Sequence, residues 1–249
     1  MKKIFLTESQ INYILRENQI LNESFLRNMY ANCKTFQDYY EATLKLLSIG
    51  LITTATALVL MTKVFPNEAT KHEKEMKIAF EKAEKEKAVS FENERKKLKK
   101  QKIEEINNLM CYVCELNGRD PETLELSAEH IVNMCEKYNF PLPLLLAQAH
   151  LESHFGTTNR AKRTNSVFSV GSYDDGRNVY KPSTQNESVE NYIQTIQRYY
   201  LQDKSVDELL KNGGFVNYLG KRYASDKHYE LKIRQTMNGL IKQHCPSCF

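Results

Sequence analysis

At 249 residues, with 41% hydrophobic and 27% charged side chains, the chain has room for one large domain or one modest domain with appendages. Its formal charge of +4 is mild, and its lysines interleave with glutamates, which argues against nucleic-acid binding. Six cysteines in a chain this long do not make a disulfide framework.

Residues 1–44 read as separate helices. Thr7-Glu8-Ser9-Gln10 forms a capping-box pattern, followed by Ile11, Ile14 and Leu15 on one face. The next segment, 45–65, contains Leu46 to Thr62, which are 17 uncharged residues between Lys45 and Lys63. A bilayer span needs about 20 apolar residues, and about 17 is the short end. The run is read as a transmembrane helix, with a buried helix of a bundle or an assembly as the alternative. It starts too far from Met1 for an ordinary cleaved signal peptide.

Residues 66–108 read as a charged helical spacer. Glu68 to Glu105 holds 12 Lys or Arg and 10 Glu, without Pro or Gly. Glu73–Lys77 and Glu81–Lys85 are favourable i,i+4 pairs. The sparse apolar residues Met76, Phe80, Phe91, Leu98 and Ile103 keep no clean heptad, so a solvated helix or a loose coiled coil is expected. Over about 40 residues it would reach roughly 60 Å. Cys111-Tyr112-Val113-Cys114 follows in a helical stretch with some core character.

Residues 109–249 form the remaining domain. Phe140-Pro141-Leu142-Pro143 opens a helix that is apolar on nearly every side, and Gly156 is read as its stop. Glu152 sits in the last turn. Desolvation and the negative end of the helix dipole both raise its pKa, so the carboxyl stays protonated and can donate to a leaving group. The alternative from this segment alone is an ordinary glutamate facing water. His150 and His154 flank Glu152, but Glu152 falls on a different helix face from a metal they would hold, so zinc-protease chemistry is set aside. No metal or cofactor is expected.

Thr164 to Gly171 reads as a turn into a short strand, with Asp174, Asp175 and Gly176 at a hairpin tip and Asn178-Val179-Tyr180 as the return strand. Glu187 begins another helix running through Ile193, Ile196, Tyr199 and Tyr200. Cys245-Pro246-Ser247-Cys248 has turn chemistry compatible with metal or redox work. Pairing it with Cys111 and Cys114 in a zinc site is arbitrary over that gap, and unbonded thiols are expected, with a terminal disulfide as the alternative.

Four motifs occur in order: Ala147 to Gly156, Asn165-Ser166-Val167-Phe168-Ser169, Glu187-Ser188, and Tyr223 to Ile233. This series resembles the glucosaminidase family of peptidoglycan hydrolases, of the autolysin and flagellar type, over residues 125–244. The resemblance implies a mainly α, lysozyme-like domain with a small β-hairpin lobe, and cleavage of the glycan strand at N-acetylglucosamine. It implies that Glu152 is the catalytic acid and Tyr223 a catalytic tyrosine, while Asn165, Phe168 and Tyr229 serve substrate binding. Asp174 and Asp175 are the acids available as the second catalytic carboxylate, although neither matches a family position cleanly. A lytic transglycosylase on the same fold, and a structural protein that only binds glycan, are the alternatives. The chain's opening is reminiscent of N-terminal helices on virion proteins of tailed bacteriophages. A phage virion or host envelope location is therefore expected, with virion proteins docking on those helices and the C-terminal domain outside the cytoplasm.

Overall fold

The computed structural model describes residues 33, 35–48, 52–170, 181–211, 213–217 and 219–249. The expected helices at Thr7 to Leu15 and the hairpin tip at Asp174 and Asp175 lie outside the described residues. The chain divides into two compact units, Met1–Lys96 and Lys97–Phe249.

In the first unit, α1 (Phe36–Ser48) and α2 (Thr54–Val64) lead into the long α3 (Pro66–Leu116). The uncharged run Leu46–Thr62 is therefore not one spanning helix. Ser48 ends α1, and the Thr53 hydroxyl caps α2 by accepting the Thr56 N–H at 3.2 Å. Eleven residues of α2 extend only about 16 Å, half of a bilayer's hydrocarbon thickness. Among the described residues no helix is long and apolar enough to cross a membrane. The apolar side chains serve a local core instead: Leu46, Leu47, Leu60 and Met61 are buried with Tyr39, Phe65 and Phe80. Edge-to-face packing of Phe65 against Tyr39 and Phe36, with centroids 5.2 and 5.7 Å apart, closes it.

The spacer is helical, as its composition requires. Ala69, Met76, Phe80 and Ala83 bury one face of its first turns. From Glu84 to Leu98 almost every residue is exposed, with Lys82–Glu86 and Glu92–Lys96 as i,i+4 ion pairs.

In the second unit, the last turns of α3 bury Ile106, Leu109, Met110 and Val113, one helical face at i, i+3, i+4 and i+7. Cys114 on the same turns is buried, and Cys111 is half-buried. Then come α4 (Ala128–Tyr138), α5 (Leu142–Ser153), α6 (Asn159–Thr164), α7 (Gln185–Ile196) with a π turn at Gln197–Leu201, α8 (Val206–Leu209), α9 (Tyr229–Thr236) with a π turn at Met237–Ile241, and α10 (Lys242–His244). The central α5 packs against α9 and its π turn, while α4 packs on α7. Leu144, Leu145, Leu146, Ala147 and Ala149 are fully buried, which accounts for the apolar character of α5 all round.

The expected strand after Thr164 does not form among the described residues, where Val167 and Phe168 are bends and Val170 is in a turn. Val167 gives its N–H to the Ser188 hydroxyl and Ser169 takes φ +54°, so neither follows a strand ladder. One isolated bridge, Val216 with Arg222, is the β pairing present among the described residues. Cys245 and Cys248 are disulfide-bonded, in contrast to the expected thiols. Their Pro-Ser turn brings the Cα atoms within 5.4 Å, and the Glu105 carboxylate accepts both the N–H and the hydroxyl of Ser247.

Candidate active site

Pro141 and Pro143 start α5 as expected, but the helix ends at Ser153, two residues earlier than Gly156 implies. His154 takes the left-handed conformation (φ +48°) and its N–H bonds back to the His150 carbonyl, so a non-glycine residue supplies the cap. Phe155 and Gly156 also have positive φ. Gly156 is required for space as well as conformation: a Cβ there would fall 2.1 Å from the Gln185 amide oxygen, and the Gln185 amide donates to the Gly156 carbonyl. The turn after Glu152 is thereby fixed to the first turn of α7.

Glu152 lies in the last turn of α5, largely withdrawn from water. Burial pushes its carboxyl pKa up. Hydrogen bonds from Tyr229 and Ser169 and the charge of Arg160 act in the opposite direction. The Tyr229 hydroxyl donates to Glu152 Oε1 at 2.5 Å.

Behind Tyr229 runs a relay of fixed direction. The buried Tyr192 hydroxyl donates to Gln148 Oε1, and Gln148 Nε2 donates to the Tyr229 oxygen at 2.9 Å. A phenol has one proton to donate and lone pairs to accept with, so each bond constrains the next. With its amide oxygen facing Tyr192, Gln148 must present its N–H to Tyr229. The Tyr229 oxygen then serves as acceptor and its proton is committed to Glu152. Burial keeps both Tyr192 and Tyr229 protonated, with pKa values far above the ordinary phenol range. Gln148 stands one turn before Glu152 on α5, so the same helix carries the acid and the group that orients its partner.

Tyr223 is placed beside this cluster, with its ring stacked on Tyr229 at 5.7 Å and edge-on to Tyr200 and Phe215. Its hydroxyl donates to the Phe168 carbonyl at 2.7 Å, so it holds the turn over the site and is not bonded to Glu152. Phe168 itself is fully buried, stacked on Tyr192 with centroids 4.0 Å apart; it meets the site through its backbone carbonyl. Asn165, in the left-handed conformation at the end of α6, donates to the Pro182 and Ser183 carbonyls, closing the base of the segment between them. Asp226 accepts the His228 N–H and pairs with Lys232 at 2.5 Å, which shapes the turn into α9. Asp174 and Asp175 lie outside the described residues.

His150 and His154 stack on each other at 5.4 Å, and burial pushes the His150 pKa down to about 4. The relay residues Gln148 and Tyr192, with Ser169, go beyond what sequence reasoning identified. The available signal was Gln148, a lone amide inside an apolar helix at i−4 from the acid.

Residues 128–242 match the family model Glucosaminidase, described as mannosyl-glycoprotein endo-beta-N-acetylglucosaminidase. The match contains Glu152, Gln148, Tyr192, Tyr223 and Tyr229. No curated protein and no solved structure matches the chain.

Proposed function

We propose, from the match of residues 128–242 to the glucosaminidase family, that the chain cleaves the β-1,4 glycan strand of peptidoglycan at N-acetylglucosamine with Glu152 as general acid. The observation that carries this reading is a withdrawn carboxyl that accepts from Tyr229, whose hydroxyl is held as a donor by Gln148. The raised pKa favours the protonated form that can pass a proton to the leaving group. Once the proton has gone to the leaving oxygen, a carboxylate remains in a poorly hydrated place. The bonds from Tyr229 and Ser169 and the positive charge of Arg160 then stabilise it, which lowers the barrier to transfer. Asn165 and the Tyr223–Phe168 bond hold the turn that carries Ser169 to the acid, so these residues act by positioning that turn.

Attack by water would draw on the substrate's acetamido group or on Asp174 or Asp175. Mass spectrometry of digested peptidoglycan tests the reading. A reducing N-acetylglucosamine end supports it, an anhydro end replaces it with transglycosylation, and absence of product from folded protein reduces it to glycan binding. The setting proposed is a phage virion or host envelope, in lysis or in wall penetration, supported by the character of the N-terminal sequence; recovery of the protein in purified particles tests that.

A further inference from the structure

Arg222 and Glu230 are the chain neighbours of Tyr223 and Tyr229, yet they line a different surface. With Lys211, Lys227, Leu231 and Arg234 they surround a cavity of about 730 Å³, within the usual size range of ligand sites. Two of its guanidiniums are held by the protein. Arg222 pairs with Glu230, whose carboxylate is 2% exposed and also accepts the Phe215 N–H, and Arg234 donates to the Leu210 carbonyl at 2.8 Å. Each fork therefore keeps a set direction with further N–H groups to offer. Lys211 and Lys227 are exposed at the rim, and the nearby Asp226 is engaged by Lys232. Among the described residues that line the basin, one acid faces four cations.

We propose that this basin binds a phosphodiester-linked anionic polymer. The carboxylate seat on Arg222 is already filled by Glu230, which disfavours a ligand carboxylate there. Lys211, Lys227 and Arg234 come from separate points of the chain, and a phosphate offers oxygens in several directions to meet them together. A repeating phosphate also matches the surplus of positive charge along the basin, while half-exposed Leu231 gives apolar contact to the carbon units between phosphates. The site is independent of the catalytic reading, because binding needs no functional Glu152.

Isothermal titration of the full chain carrying Glu152→Gln tests it, with polyglycerol phosphate, inorganic phosphate and poly-glutamate as separate titrants. The polymer should bind, and its affinity should fall as salt is raised. Lys211→Ala with Lys227→Ala should weaken it about tenfold, whereas Lys211→Arg with Lys227→Arg should retain it. Thermal melting establishes that both variants are folded. Equal affinity for inorganic phosphate or for poly-glutamate, or unaltered binding by the folded alanine pair, overturns the proposal.

Discussion

Helices α2 and α5 are both short and strongly apolar, and both sit in the core of their own unit, but they satisfy their polar groups differently. In the first unit the buried threonines find oxygen partners close by: Thr43 donates to the Tyr39 carbonyl at 2.7 Å, and Thr56 bonds Thr53 at 3.0 Å. In α5, Gln148 and Glu152 are bonded to residues 44, 81 and 77 positions away. A locally satisfied polar group costs little and asks nothing of the rest of the chain. A polar network assembled over such separations must be built by the whole domain, and each member left unpaired would be expensive. That contrast supports the proposal that α5 carries the chemistry.

The most direct way to break the comparison is Glu152→Gln. Activity in a muropeptide-release assay should fall by about two orders of magnitude or more, with the fold retained by circular dichroism. The same substitution should stabilise the domain at neutral pH. A carboxyl whose folded pKa is raised favours the folded state only while protonated, below its unfolded pKa, and that contribution is lost as pH rises through the folded value. The melting temperature of Glu152→Gln should therefore exceed that of the unaltered chain by a margin that grows with pH and vanishes in acid. A margin independent of pH would mean that Glu152 is not desolvated.

Next in size is Tyr229→Phe, which removes the donor to Glu152 and should cost about 10²-fold in rate. Since that bond favours the carboxylate, its loss raises the pKa further. The alkaline limb of the rate profile, where the acid loses its proton, should move to higher pH. Tyr223→Phe should cost less and leave that limb in place, because its hydroxyl serves the Phe168 carbonyl. If Tyr223→Phe shifts the limb and Tyr229→Phe does not, the two tyrosines have been assigned in the wrong order.

The relay accounts for what could and could not be read from the sequence. The apolar run, its proline start and the terminal carboxyl give α5 and the raised pKa of Glu152 directly, since these depend on neighbours within a few turns. Tyr192 and Tyr229 reach Gln148 only through tertiary packing, and no local pattern records it. The break in Leu46–Thr62 was legible in principle, because Thr53 is a good helix cap, but average hydropathy over the run conceals a single capping hydroxyl.

Gln148→Leu sharpens the comparison at lower amplitude. It leaves the Tyr192 hydroxyl without its acceptor and the Tyr229 oxygen without its donor, for a loss of about 1–3 kcal/mol in chemical denaturation. Tyr229 is then free to rotate, so the alkaline limb should move in the same direction as in Tyr229→Phe, by less. The smallest effect is expected from Thr53→Ala in the other region. Loss of this cap should cost about 1 kcal/mol of helix stability in the first unit and leave glycan cleavage by the purified chain unchanged.

The two bonds from Asn165 to the Pro182 and Ser183 carbonyls bear on how this domain can change over time. They clamp the two ends of an intervening stretch of chain, so the positions of those ends do not depend on what lies between them. Phe168, packed on Tyr192, and Ser169, bonded to Glu152, have to be kept. With them in place, doubling the length of chain between Val170 and Lys181 should cost only about 0.6 kcal/mol in closure entropy. Selection, or an engineer, can therefore exchange what lies between Val170 and Lys181 without rebuilding the helix that holds Glu152.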